Sequence, residues 1–334
     1  MIPFSILDLS PIGQGKSISE SFSLSLAMAQ RAETHGYQRY WLAEHHGMSG
    51  VGSSSPAVLL SHIGAGTSTI RLGAGGIMLP NHAPLVVAEQ FGTLAELYPN
   101  RIDLGLGRAP GTDMLTARAL RRNMQASVDD YPQDVQELER LLGDGPFDKG
   151  IVAVPGRRTN LPIWLLGSSL YSAQVAAEFG LPYSFASHFA PDQLMQALTV
   201  YRRHFKPKKE EDKPYTMAGI MAVLADTQEE ADYLFTSAQQ QFVNLRRGGN
   251  HAFPAPVESM DTIWSPSESH MVSHALQFAV VGTKASVAHQ LSSFIEKTEI
   301  DELIISFPVY DGEKRLASLS LMAELRHEMA NYVA

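Results

Sequence analysis

Short apolar segments alternate along most of the chain with longer stretches in which apolar residues recur every three or four positions. The short segments are typical of buried strands, and the longer stretches are typical of amphipathic helices. The predicted strands are Phe4–Leu9, Arg39–Glu44, Ile70–Leu79, Ile102–Leu106, Ile163–Leu166, Tyr183–Ala186, Thr216–Leu224 and Glu302–Phe307. The predicted helices are Glu20–His35, Pro56–Ala65, Pro84–Leu97, Asp113–Arg122, Gln133–Leu142, Ser172–Phe179, Asp192–Phe205, Gln228–Leu245, Lys284–Lys297 and Lys314–Met329.

This alternation of strands and helices predicts an α/β fold with a parallel sheet. Eight strands close a TIM (β/α)₈ barrel, whereas an open doubly wound sheet more often stops at about six. No segment has the composition of an interdomain linker, so we predict one domain over residues 1–334, with loop insertions. The longest insertion, Arg246–Ser269, follows the helix after the seventh strand and therefore need not reach the catalytic face. The sequence leaves three interpretations of this insertion open: a lid, an oligomer contact or a mobile surface loop.

The composition excludes several classes of protein. With 334 residues, 44% of them hydrophobic and 18% charged, the chain can bury a large core. A net charge of -9 argues against a nucleic-acid or lipid-surface partner. The chain has no cysteine, which removes disulfides, thiolate metal sites and thiol nucleophiles. The residues Met1–Asp8 lack the basic start of a signal peptide, and no apolar run approaches the ~18 residues of a membrane span. We therefore expect a soluble, cytoplasmic protein.

The segment Trp41-Leu42-Ala43-Glu44-His45-His46 is an apolar run that ends in three ionisable side chains before a Gly/Ser loop. In α/β barrels the active site lies at the carboxyl ends of the strands. The segment is thus either the rim of an active site or an ordinary strand end that enters solvent. Glu44 and His46 share a strand face and could hold a metal, but no second cluster with ligand spacing supports them, so we predict no metal site.

Glycines and serines follow two further strands. Gly105-Leu106-Gly107-Arg108 resembles part of a dinucleotide fingerprint, but the third glycine is one position late, which leaves a Rossmann interpretation weak. These glycines either let the backbone approach a flat ligand or form tight turns. Gly167-Ser168-Ser169 ends a strand and opens a helix, where amides and hydroxyls can bind phosphate with Arg108 as the counter-charge. An ordinary helix cap at Ser168 is the alternative.

Taken together, the strand ends resemble those of a known family. Trp-Leu-x-Glu-His-His at 41–46, Leu-Pro-x-His-x-Pro at 79–84, Arg-x-Asp-x-Gly-x-Gly-Arg at 101–108 and Gly-Ser-Ser at 167–169 occur in this order. They resemble the bacterial luciferase-like flavin monooxygenases, in particular the short, single-chain group 1 branch. The resemblance spans nearly the whole chain.

The resemblance implies a TIM barrel that binds FMN, usually reduced and supplied by a separate flavin reductase. It implies use of dioxygen on a small organic substrate and assembly into a homodimer or higher homo-oligomer. Gly167 stands where true luciferases carry an acidic residue, and a long lid is not obvious. Light emission and a long-chain aldehyde substrate are therefore not predicted.

The resemblance also assigns roles to individual residues. His45 is the predicted catalytic acid/base or hydrogen-bond donor, and Glu44 braces the site or belongs to an ion pair at the barrel end. Gly75-Gly76 corresponds to the place where a strained or cis peptide lies beneath the flavin ring. The remaining predicted cofactor-binding residues are Arg108, Ser168, Ser169 and Tyr171, at the flavin phosphate.

The main hypothesis is therefore an FMN-dependent monooxygenase. A deazaflavin-dependent hydride-transfer enzyme is an alternative within the same fold. A flavin-binding protein without turnover is an alternative from another class, and a metal-dependent barrel hydrolase is the most distant one.

Overall fold

The computed structural model describes residues 2–109, 111–120, 130–145 and 150–332, and this part of the chain contains nine strands, eleven α-helices and one short 3-10 helix at Leu79–Asn81. The strands are β1 (Phe4–Asp8), β2 (Arg39–Leu42), β3 (Arg71–Met78), β4 (Ile102–Gly107), β5 (Ile163–Gly167), β6 (Tyr183–Phe185), β7 (Thr216–Leu224), β8 (Val280–Gly282) and β9 (Glu302–Ser306). The helices are α1 (Ile18–Thr34), α2 (Pro56–Ala65), α3 (Pro84–Leu97), α4 (Met114–Leu120), α5 (Tyr131–Leu142), α6 (Leu170–Glu178), α7 (Leu194–His204), α8 (Gln228–Arg246), α9 (Pro266–Ala275), α10 (Lys284–Thr298) and α11 (Gly312–Tyr332).

Eight of the strands close into a parallel barrel. The order around the barrel is β1-β2-β3-β4-β5-β6-β7-β9, and β9 pairs with β1 to complete the circle. The strand β8 is additional: it pairs with the last three residues of β7. The predicted TIM barrel is thus confirmed, with one strand that the sequence pattern did not predict.

Local sequence signals explain where several helices begin. At the start of α1, the Ser17 hydroxyl accepts the Glu20 N–H while the Glu20 carboxylate accepts the Ser17 N–H. This capping box satisfies two backbone donors that the first helical turn leaves free. Proline stands at the first position of α2 and α3, Pro56 and Pro84, where its fixed φ suits a helix and its missing N–H costs no bond.

Charged and aromatic side chains fill the half of the barrel lumen that lies at the amino-terminal ends of the strands. Arg39 lies between Asp103 and Glu302, at 2.7 and 2.9 Å, and both carboxylates are buried. Above this layer, Trp41 and Trp164 meet edge to face with ring centroids 5.2 Å apart. The amino-terminal half of the lumen is therefore packed, and the open space lies at the carboxyl ends of the strands.

The segment after α8 reaches those carboxyl ends. The Asn250 amide donates to the Gly47 carbonyl and accepts from the Ser49 N–H, both at 2.6 Å. The backbone N–H of Phe253 donates to the Ile12 carbonyl at 2.8 Å. The expectation that the insertion Arg246–Ser269 need not reach the catalytic face was thus wrong, because contacts with two rim loops hold it there.

The predicted helices all occur, with bounds shifted by a few residues. The predicted helix Asp113–Arg122 corresponds to α4, and its last two residues, 121 and 122, lie outside the described ones. The end of the insertion forms α9, which the sequence pattern did not predict. Within the described residues, no helix combines the length and the apolar character that crossing a membrane requires.

Candidate active site

A cavity of about 610 Å³ opens at the carboxyl ends of the barrel strands. Ends of β1, β3, β4, β5 and β9 form its wall, together with one face of α8. The predicted residues that line it are His45, Gly75, Gly76, Arg108, Ser168 and Ser169. Glu44 and Tyr171 do not line it; each contacts a residue of the wall instead. The structure thus brings the residues predicted from four separate strands, β2, β3, β4 and β5, to one place.

His45 follows β2 and is held in one tautomer. Its Nδ1 lies 3.2 Å from the carbonyl oxygen of Gly111, which can only accept a hydrogen bond, so Nδ1 carries the proton. Burial lowers the pKa of His45 below its usual value, and the ring is therefore neutral at pH 7. A neutral ring protonated on Nδ1 has its lone pair on Nε2. His45 thus offers a proton acceptor to the cavity.

Glu44 is fully buried behind His45 and ties three segments together. One carboxylate oxygen, Oε1, accepts from Nε2 of His46 at 2.6 Å and from Nε2 of His82 at 2.7 Å. The other, Oε2, accepts the Met78 N–H at 3.1 Å. Burial raises the pKa of Glu44, but the hydrogen bonds from His82 and His46 outweigh it and keep the pKa below its ordinary value.

The same three side chains are close enough to share a metal ion, since their ligand atoms all lie within 4.8 Å of one another. Each imidazole already donates directly to the carboxylate, so the group Glu44, His46 and His82 is satisfied as it stands. This geometry favours Glu44 as a brace between the end of β2 and the turn after β3.

The peptide bond between Gly75 and Gly76 is cis, which confirms the predicted special backbone at the end of β3. Close neighbours leave little room for a side chain at either position, and at Gly76 the neighbour is backbone that cannot move aside. A Cβ on Gly75 would stand 2.9 Å from the Leu7 side chain, and a Cβ on Gly76 would stand 2.7 Å from the Gly105 carbonyl. The cavity is therefore lined here by bare backbone, which a flat ring can approach closely.

Arg108 and the start of α6 form a second polar part of the wall. The Arg108 guanidinium lies over the Tyr171 ring, 4.2 Å from its centroid, and this contact orients the charge. Ser169 is the N-cap residue of α6, yet its hydroxyl makes no capping bond. Its hydroxyl and the nearby amides of the helix start are thus placed to meet an anion.

The structure explains why residue 167 is glycine, where the resemblance leads one to expect an acidic residue. A Cβ there would stand 2.2 Å from the Ser172 hydroxyl, which donates to the Ser169 carbonyl at 2.8 Å. A side chain at 167 would displace that hydroxyl and disturb the start of α6.

Several residues of the site were not among the predicted ones. His82 belongs to the Leu-Pro-x-His motif, but only the pairing of β2 with β3 shows that it reaches Glu44. His188, after β6, and Gln241, on α8, also line the cavity. A polar residue on the apolar stripe Ala238–Leu245 is the one sequence signal that could have indicated Gln241.

A sequence profile described as "Luciferase-like monooxygenase" matches residues 2–302 of the chain. The chain belongs to the luciferase-like monooxygenase family. A relative from Escherichia coli (strain K12), named "Luciferase-like monooxygenase", is 51% identical over 328 residues, 98% of each chain. A second, from Bacillus subtilis (strain 168) and named "N-acetyl-S-alkylcysteine monooxygenase", is 31% identical and covers 97% of this chain and 98% of its own.

Solved structures agree with this family. The apo-MsnO8 structure has a TM-score of 0.86 and 29% identity, and it covers 98% of this chain and 99% of its own. The oxygenating constituent of 3,6-diketocamphane monooxygenase, in complex with FMN, has a TM-score of 0.75 at 17% identity, with 97% of each chain covered. An F420-dependent secondary alcohol dehydrogenase has a TM-score of 0.69 at 13% identity, with 97% and 98% covered. The last two show that the luciferase-like fold is shared.

Family membership confirms the predicted enzyme class, a flavin-dependent oxidoreductase of the monooxygenase kind. An FMN complex and an F420-dependent enzyme share this fold, so the fold is compatible with either kind of flavin.

Proposed function

We propose that this luciferase-like protein is an FMN-dependent monooxygenase that uses reduced flavin and dioxygen on a small organic substrate. The observation that carries the proposal is the convergence of three features on one cavity: the polar wall at Arg108, the bare backbone at Gly75-Gly76 and the neutral imidazole of His45. A phosphate, a flat ring and a reacting centre each have a matching part of the wall.

The residues at the phosphate end fit FMN chemically. Arg108 supplies a positive charge, and Ser168 and Ser169 supply hydroxyls and amides at the start of α6. Tyr171 holds the guanidinium by stacking, at 4.2 Å. Charge-assisted hydrogen bonds of this kind are roughly twice as strong as neutral ones and suit a doubly charged phosphate.

When bound, reduced FMN supplies the electrons that activate dioxygen, one atom of which enters the substrate. The protein's own residues would orient the ring, exclude water and hold a proton. In the proposal, Gly75 and Gly76 let the ring lie against the β3 backbone, while the apolar wall keeps water out. His45 accepts and returns a proton at Nε2, because its Nδ1–H is already donated to Gly111.

Glu44 acts in this proposal through its neighbours rather than on the substrate. It fixes the Met78 N–H and the rings of His46 and His82, and so sets the position of the backbone on either side of His45. It is a positioning residue.

Titration of the purified protein with oxidised and reduced FMN, and with F420, tests the cofactor. We expect saturable FMN binding, followed by substrate-dependent oxygen uptake when NADH and a flavin reductase are added. Failure to bind either form of FMN would overturn the proposal. Tight binding of F420 with hydride transfer to its substrate would assign the deazaflavin alternative instead.

The role of His45 is tested by His45→Asn, with His289→Asn on the exposed face of α10 as the matched control. The His45 variant should keep its FMN affinity and lose turnover by about 10²–10⁴-fold, the usual contribution of acid–base catalysis. The control should keep both. Unchanged turnover in His45→Asn would remove His45 from the mechanism.

The proposal includes two kinds of partner. A separate flavin reductase delivers reduced FMN, so oxygen uptake should require one. A second copy of the chain packs on α2 and α3, where Val58, Val86 and Leu97 are 72%, 46% and 55% exposed. Light scattering on the purified protein tests this, and a monomeric mass at micromolar concentration would contradict it.

A further inference from the structure

One wall of the cavity is formed by α8, away from the phosphate end. Ala238, Gln241, Phe242 and Leu245 all line the cavity, and their spacing of three and four residues places them on one helix face. Of the residues of α8 that line the cavity, Gln241 and Arg246 are polar; Arg246 is solvent-exposed at the end of the helix, whereas Gln241 lies among the apolar members of the stripe. Its position calls for an explanation, because an apolar residue would fill the same place without burying an amide.

The Gln241 amide lacks a partner on its buried side. Its Oε1 is buried and accepts no hydrogen bond from any residue that the structure describes. An unpaired buried polar atom costs about 1–3 kcal/mol. A ligand that donates to Oε1 would remove that cost and gain a directional contact.

His188 supplies a second polar group to the same cavity. Its Nδ1 packs so closely against Gly219 that a Cβ on that glycine would stand 2.4 Å from the nitrogen. This Nδ1 is buried and has no hydrogen-bond partner among the described residues. Burial, with a smaller contribution from His45, lowers the pKa of His188 to about 4, so the ring is neutral at pH 7. The tautomer protonated on Nε2 avoids a buried, unpaired N–H at Nδ1. His188 is therefore a hydrogen-bond donor through Nε2.

The surroundings select against a cationic group. Within the described part of the chain, no Asp or Glu lines the cavity, so nothing there would balance a cationic ligand. Of the cations that line it, Arg108 belongs to the phosphate end, Arg315 is balanced by Asp8 at 2.7 Å, and Arg246 is solvent-exposed at the end of α8. Phe242, Leu245 and Phe253 supply the apolar surface around Gln241.

We propose that Gln241 and His188 form a substrate-recognition subsite for a neutral amide, or an equivalent donor–acceptor group, on a substrate whose remaining body is apolar. The ligand's N–H donates to Gln241 Oε1, and its carbonyl accepts from His188 Nε2. The subsite rests on the proposed function, since it places the substrate in the cavity space that FMN leaves.

A matched pair of neutral thioethers tests the subsite: N-(2-(butylthio)ethyl)acetamide and butyl ethyl sulfide, which lacks only the acetamido group. Binding to the FMN-loaded protein is measured by the change in the flavin absorbance spectrum. The wild-type protein should bind the amide-bearing compound at least about 10-fold tighter, since one satisfied buried hydrogen bond contributes about that factor.

In the variants Gln241→Leu and His188→Phe, the ratio of the affinities for the two compounds should fall close to one, while the affinity for FMN stays unchanged. Gln239→Leu makes the same chemical change on α8 at a residue that does not line the cavity, and it should keep the preference. This control separates recognition from a general effect on the helix.

The outcomes are distinguishable. A wild-type protein that binds FMN but does not prefer the amide, or variants that keep the preference, overturn the subsite alone. Loss of FMN affinity in Gln241→Leu and His188→Phe assigns the pair to the cofactor and also overturns it. A wild-type protein that does not bind FMN overturns the proposed function instead.

Discussion

Replacement of Arg315 by methionine should destabilise the barrel through a charge that loses its partner. Arg315, on the first turn of α11, is 1% exposed. Its Nη2 donates to Asp8 Oδ1 at 2.7 Å, and its Nε donates to the Phe307 carbonyl at 2.8 Å. The pair joins the end of β1 to the helix after β9. Without the guanidinium, Asp8 is left as a fully buried carboxylate with neutral donors only.

The magnitude follows from this geometry. Removal of one partner from a buried ion pair costs about 3–5 kcal/mol. At about 2.1 cal/mol/K per residue, the unfolding entropy of the chain is about 0.7 kcal/mol/K, so Tm should fall by about 4–7 °C. The double variant Asp8→Asn/Arg315→Met removes both charges, and it should lie within about 1–2 kcal/mol of the wild-type protein.

The effect should depend on pH with a definite sign. Burial alone would raise the pKa of Asp8, but the charge and hydrogen bond of Arg315 outweigh it and hold the pKa below 3.8. The Asp8–Arg315 pair therefore stabilises the wild-type fold fully at pH values above the pKa that Asp8 has in the unfolded chain. This stabilisation is lost as the pH falls through the pKa that Asp8 has in the folded protein. In Arg315→Met, burial without the guanidinium raises the pKa of Asp8, so the carboxyl group becomes neutral as the pH falls. The loss in free energy of unfolding relative to the wild-type protein should therefore become smaller at lower pH.

Urea unfolding at about pH 7 and about pH 4.5, followed by tryptophan fluorescence, measures this loss for the single and double variants. If Arg315→Met lowers the free energy of unfolding by less than about 1 kcal/mol at neutral pH, the reasoning is refuted. An equal loss at both pH values, or a double variant as unstable as the single one, would also refute it.

Three further predictions concern the cavity. Arg108→Met should weaken FMN binding by about 10-fold or more and leave riboflavin binding unchanged, because the lost charge-assisted bond is worth about 1.5–3 kcal/mol; fluorescence titration that shows equal losses for both ligands would contradict a phosphate contact. Tyr171→Leu should weaken FMN binding about 2–5-fold through the lost stacking, whereas Tyr171→Phe should not; equal affinities of the two variants would speak against the stacking. Finally, His188 alone should contribute a loss of roughly 2–4 kcal/mol to the stability of the apo-protein as the pH falls from 6.5 to about 4, because the unfolded chain protonates at the ordinary His pKa while the folded one keeps this ring neutral. His188→Phe should show a shallower dependence in urea unfolding, and equal slopes would contradict the buried, neutral ring.

The barrel could be predicted from the sequence because its strands are buried on both faces. Such strands appear as continuous apolar runs, and eight of them with helices between leave few alternative topologies. The strand β8 escaped prediction because it has three residues and pairs with the extension of β7 beyond the barrel. Its pattern is too short to separate from a loop.

The positions of single side chains at the rim were less predictable. Arg108 follows β4 directly and His45 lies just beyond the end of β2, so the parallel sheet alone places them at the carboxyl ends. The contact of His82 with Glu44 depends on the register between two strands and on the turn after the second. Gln241 reaches the cavity from a helix, and only the packing of α8 decides which of its faces turns inward.

The docking of the insertion was missed for a similar reason. It depends on one side chain, Asn250, and on backbone bonds of Phe253, with partners about 200 positions away in the sequence. Composition identifies a Gly/Pro-rich loop, but it does not specify which rim segment such a loop meets.

The two hydrogen bonds of Asn250 have a consequence for the order of the site around His45. They join the insertion to Gly47 and Ser49, in the loop that directly follows His45 and His46. Separation of the insertion from the rim therefore breaks the bonds that order the neighbourhood of the proposed catalytic imidazole. Any motion that undocks the insertion therefore also releases the loop beside His45, so the order of the proposed reacting centre depends on a segment about 200 positions away in the chain.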